Sequence, residues 1–159
     1  MIEWRELRDM SHTMRGSIAK ALLEDEERAD VVPPGWKNNL RWHAGHLALV
    51  PRSLTRGLAG KPLSVSDEMV RWFRKGSSPA EWGSAPVPSL AELTRDLVDV
   101  IPELFDEFEG REGERYERPY LTSAGVALSS PADALTFSFA HDGIHLGWII
   151  ALKRSLRAM

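Results

Sequence analysis

The sequence predicts an all-α fold, a four-helix bundle with a long crossover, and three observations carry that prediction. Apolar residues recur at spacings of three and four in four separate segments. Capping and stop residues bound those segments. No segment sustains the alternation of a strand. A length of 159 residues, 43% hydrophobic and 27% charged, suits a single domain over residues 1–159.

In the first segment, Trp4, Leu7, Met14, Ile18, Ala21 and Leu22 form one stripe from Trp4 to about Arg28, before Pro33-Pro34-Gly35 stops the helix. A second helix starts after Asn38-Asn39, residues suited to N-capping, and runs through Leu40, Leu47, Val50, Leu54 and Leu58 to Gly60. Pro51 lies inside it and is expected to kink it or end its first half, because proline lacks an N–H and crowds the carbonyl four residues back. Residues 61–88 read as a long connection with one short helix, Asp67 to Lys75. Connections of this length are uncommon and are often functional or crossovers. Ser89 and Glu92 form a Ser-x-x-Glu capping box for the third helix, whose stripe is Leu90, Leu93, Leu97, Val100, Leu104 and Phe108, with Gly110 as its stop. After an irregular stretch from Arg111 to Ser129, Ser130-Pro131 opens a fourth helix that runs to about Arg157.

Composition narrows the chemistry. There is no cysteine, which excludes disulfides, thiolate metal sites and a cysteine nucleophile, so any metal must be held by His, Asp or Glu. A net charge of -3 gives no sign of phosphate-driven nucleic-acid binding. The first fifteen residues lack the apolar h-region of a secretory signal, and no apolar run reaches the roughly 18 residues of a membrane span. A soluble cytoplasmic protein acting on a small molecule, without nucleic acid or membrane, is the expectation.

Five histidines remain to be explained. On the fourth helix Phe137, Ile144, Trp148, Ile149 and Leu152 define an apolar arc, with His141 and His145 near its middle. Residues i and i+4 lie about 40° apart and one turn along, so both imidazoles can face one ion. Gly143 and Gly147 cost roughly 1 kcal/mol each against alanine, which implies close approach of another helix or a ligand. The apolar side of the second helix, with Trp42, Leu47, Leu49, Val50 and Leu54, includes both His43 and His46. Periodicity slightly prefers His43 and does not separate the two. His12 points about 130° from its stripe, toward solvent, and Asp142 points about 100° from His141, as a solvated or interface charge rather than a ligand. Arg41, Arg52 and Arg56 read as a solvated face. Trp42, Trp148 and Phe137 read as core or as the lining of a pocket.

Asn38-Asn39-Leu40-Arg41-Trp42-His43-Ala44-Gly45-His46-Leu47 resembles the Gly-His-Leu motif of the DinB-like superfamily, which includes YfiT-type metal-dependent hydrolases. His141-Asp142-Gly143-Ile144-His145-Leu146-Gly147 resembles its second motif, the His-x-x-x-His of the last helix, and the order of helices and connections matches along nearly the whole chain. The resemblance implies an up-down-down-up bundle, often a homodimer, with His46, His141 and His145 as ligands to a divalent metal such as zinc or nickel. It thereby sets His46 above His43. It also implies hydrolase or thiol S-transferase chemistry, the latter with a low-molecular-weight thiol cosubstrate. Many relatives have Gly-Gln after the last histidine, where this chain has Gly147-Trp148, which leaves the substrate open. Within that scheme an ion lowers the pKa of water or a thiol, and His43, one turn before His46, is the candidate general base, with an outer-layer or core histidine as the competing role. The alternative is a non-catalytic dimeric helical module that binds a metal, a small ligand or a partner protein.

Overall fold

The computed structural model describes residues 3–159. The chain forms α1 (Trp4–Leu23), α2 (Leu40–Arg52), α3 (Asp67–Phe73), α4 (Leu90–Glu107) and α5 (Pro131–Arg157). Helices α1, α2, α4 and α5 make the bundle, and α3 is the short helix of the long connection.

The caps act where the residue types suggest. Asn39 accepts from the backbone N–H of Trp42, Ser89 and Glu92 cap each other's backbone, and Ser130 accepts from Asp133 N–H. Two ends differ from the expected ones. α1 closes at Leu23, and Glu26–Arg28 forms only a single 3-10 turn. α2 passes Pro51 and then widens at Ser53–Gly57 into a π-helical turn. In the irregular stretch before α5 there is a hairpin of β1 (Tyr120–Leu121) on β2 (Ala127–Leu128), Tyr120 opposite Leu128. Two residues per strand are too few to leave a period in the sequence.

Cross-helix contacts give the helix directions. Arg52 pairs with Asp96, and Arg56 with Glu103 and Glu107, so α2 and α4 run parallel. Trp4 donates to the Phe105 carbonyl while Arg15 donates to that of Leu97, so α1 and α4 are antiparallel. Arg15 meets Asp142, and Arg28 reaches the Leu156 carbonyl, so α1 and α5 are parallel. The course is up-down-down-up, and the parallel α2–α4 pair is what makes a long crossover necessary. α1 and α2 each pack on both α4 and α5, and barely touch each other. α5 therefore presents one side to α1 and another to α2.

Several polar residues expected on the surface are interior. Asp142 and Arg15 are both fully buried and joined by two bonds, Nε to Oδ2 at 2.7 Å and Nη2 to Oδ1 at 2.8 Å. Asp142 is therefore an interface charge and not a solvated one. Arg52 and Arg56 are buried against the carboxylates of α4 rather than forming a solvated face, because their long stems cross apolar surface to reach that acidic row. Arg41 is held by Asp30. On α5, Ile149 and Leu152 are core, but Ile144 and Trp148 are more than half exposed. The expected apolar arc is thus wider than the buried one. Among the described residues, no helix is long and apolar enough to cross a membrane.

Candidate metal centre

The site begins with a glycine. A Cβ on Gly45 would lie 2.4 Å from ring atoms of Phe73, so only glycine lets the end of α3 rest on α2 at this point. That contact brings the Phe73 carbonyl 2.7 Å from His46 Nδ1. A carbonyl only accepts, so Nδ1 carries the proton and the Nε2 lone pair is free. Trp42 stacks on the His46 ring at 4.5 Å, 13° from parallel, and its own N–H donates to Ser77 Oγ at 2.9 Å. The Gly-His pair is thus one device: the glycine admits the carbonyl that fixes the tautomer of the next residue.

Opposite, α5 supplies His141 and His145, with ring centroids 4.4 Å apart. Their rings lie 5.4 Å and 4.9 Å from that of His46. One nitrogen from each of His46, His141 and His145 falls within 4.8 Å of the other two, an arrangement that could hold a metal ion. His141 Nδ1 is buried with no hydrogen-bond partner among the described residues. A buried nitrogen without a partner is costly unless something else occupies its lone pair. The donor set, three imidazoles and no thiolate, fits a divalent ion of intermediate softness.

The fourth histidine of this group, His43, is buried, and its Nδ1 lies 2.9 Å from His145 Nδ1. One proton serves that contact. His43 does not line the cavity that opens over the other three, which has a volume of about 500 Å³. Trp42 and Phe137 do line it. Trp148 does not, and instead packs edge-on against Trp36 at 5.6 Å. The fifth histidine, His12, is exposed on α1. Among the described residues, Gly143 and Gly147 have nothing within 4 Å of where a Cβ would sit, so no contact there explains them.

Burial is the main force on these imidazoles. It lowers His43 and His46 from 6.5 to about 4, with the neighbouring His46 adding to the effect on His43 and the Phe73 carbonyl opposing it on His46. It lowers His141 to about 3 and His145 to about 2, helped by the other imidazoles and by Arg15. All four are neutral at pH 7, with lone pairs available. Behind them, burial pushes the Asp142 carboxyl up while the Arg15 guanidinium pulls it down.

The match to known proteins follows the same residues. A model of the DinB superfamily aligns with residues 7–149, a span that includes all four clustered histidines. The chain belongs to the DinB superfamily. No curated protein matches the sequence. The motif residues of this superfamily member were legible from the chain. The contacts of Phe73 and Asp142 were not, since neither lies at a spacing that marks a site.

The neutral histidines give a pH dependence whose sign is fixed. Below 6.5 the unfolded chain takes up protons that the native imidazoles refuse, so metal-free protein should lose stability as pH falls from 6.5 to about 4. Urea midpoints should drop through that window, by at most roughly 1.4 kcal/mol per pH unit for each histidine, and His43→Leu should flatten the slope. A midpoint that is constant from pH 6.5 to 4.5 would contradict the burial of neutral imidazoles.

Proposed function

We propose that this chain is a divalent-metal-dependent enzyme of the hydrolase or thiol S-transferase type, with His46, His141 and His145 holding zinc or nickel. The supporting observation is the convergence of three neutral imidazoles, one with a buried and unpartnered nitrogen, on the floor of an open cavity. A divalent ion bound there supplies a Lewis acid that lowers the pKa of water or of a small thiol in the cavity. Three neutral ligands leave the charge of such an ion uncompensated. With no cysteine in the chain, the sulfur of any thiol reaction comes from a cytoplasmic low-molecular-weight thiol.

The protein side of the chemistry is positional. The Phe73 carbonyl keeps the His46 proton on Nδ1 and turns Nε2 inward. His43 acts through His145: when His145 offers Nε2, its Nδ1–H donates to His43 Nδ1, which holds the ring and accepts proton density from it. Trp42 and Phe137 keep water away from one side of the imidazoles. Metal analysis of untagged protein tests this reading. His145→Ala should remove most bound metal, whereas His43→Ala should keep it with roughly 10–100-fold weaker affinity. Full metal content in His145→Ala, or none in the unaltered protein after supplementation, would contradict it.

The alternative, a dimerising helical module, is favoured by one observation, and we propose the dimer as part of the same protein. Ala140, Gly143, Ile144, Gly147, Trp148 and Ala151 are exposed at helical spacing along α5. Two mid-helix glycines with open space around them suit the close approach of a second copy's α5. Sedimentation should give twice the monomer mass, reduced to the monomer mass by Gly147→Arg. A monomeric unaltered protein would rule the homodimer out.

A further inference from the structure

The cavity over the imidazoles has a mixed lining. Leu49, Val50, Leu54, Phe137 and Ile144 form an apolar wall. Arg74 and Lys75, just past the end of α3, also line it and are exposed. Among the described residues no carboxylate lines this cavity. Among the described residues neither Arg74 nor Lys75 has an ion-pair partner, while Arg15, Arg41, Arg52, Arg56, Lys61 and Lys153 all do. A third cation adds to the same edge: Lys37 Nζ donates at 2.6 Å to the carbonyl of Gly76, itself a lining residue. Ser53, Thr122 and Ser123 add hydroxyl-bearing side chains to the lining.

In a chain of net charge -3, an unpaired basic edge on an apolar cavity is a selective feature. Cations at a cleft mouth draw in anions and orient them, and an apolar wall rewards a molecule with a hydrophobic body. We propose that the site takes an amphipathic anion: a small molecule whose carboxylate, sulfonate or phosphate meets Arg74 and Lys75 while its apolar body lies on Leu49, Val50, Leu54, Phe137 and Ile144. This rests on the reading of the cavity as the substrate site. The arginines of α2 play no part in it, because the carboxylates of α4 and Asp30 already hold them.

The test uses octanesulfonate and octanol as matched probes, since a sulfonate is a poor ligand for divalent ions. Each displaces the fluorescent anion anilinonaphthalene sulfonate from the protein as purified and again after chelation. Octanesulfonate should bind more tightly than octanol, and Arg74→Ala/Lys75→Ala should weaken the sulfonate about tenfold while changing octanol by less than about twofold. Arg5→Ala/Lys20→Ala, which removes the same charge from α1, should change neither probe. Raising the salt should weaken only the sulfonate. No sulfonate binding, equal affinity for the two probes, or equal loss of both in the Arg74/Lys75 variant would overturn the proposal. Sulfonate preference that persists in protein unable to bind metal sinks the metal reading alone. Metal binding without that preference sinks the amphipathic anion alone.

Discussion

The buried pair of Arg15 and Asp142 is the constraint on which the site depends. Both side chains are fully buried, and Arg15 also donates to the Leu97 carbonyl at 2.9 Å, so one guanidinium ties α1, α4 and α5 together. Asp142 lies about 100° around α5 from His141. Once Asp142 is turned to α1, His141 and His145 face α2. A charge pair of this kind is weak as a source of stability, because its desolvation offsets much of its attraction, yet losing one partner costs about 3–5 kcal/mol. Its effect here is on orientation: any rotation of α5 that moved the histidines off α2 would leave a carboxylate unpaired in the interior.

Electrostatics behind the site follow from the same pair. An unpaired guanidinium so close to His141 and His145 would oppose a cation between them. Asp142 accepts two bonds from Arg15, and the carboxylate offsets part of the guanidinium's charge at that position. In front, burial keeps four imidazoles neutral; the Phe73 carbonyl holds the His46 proton on Nδ1, and one proton serves the Nδ1-to-Nδ1 contact of His43 with His145. The three imidazoles that could hold an ion are gathered by folding, so an ion binding there would not carry the cost of ordering them.

How much of this was legible in the sequence depended on whether the signal was periodic. The four bundle helices, the capping box at Ser89 and the stripe containing His141 and His145 all repeat at helical spacing, and all were readable. The choice between His43 and His46 was not, because both fall on the apolar side of α2 and what separates them is the approach of α3 over Gly45. The resemblance to a family motif supplied that choice in advance of the geometry. Arg52 and Arg56, read as a solvated face, are buried, and Asp142, read as a solvated or interface charge, is an interface charge, for a common reason. A helical wheel shows the direction of a side chain on its own helix but not the partner waiting there. Ile144 and Trp148 mark the opposite case, apolar residues at core spacing that stay more than half exposed.

We propose that a single ion binds among His46, His141 and His145, on imidazoles that are already neutral. Histidine side-chain ¹⁵N spectra, recorded at pH 7 before and after one equivalent of zinc, address it most directly. The account predicts neutral rings in the metal-free protein, with His46 protonated at Nδ1, and metal-induced shifts at one nitrogen each of His46, His141 and His145. Zinc bound at His12, or at His43 in place of His46, would contradict it.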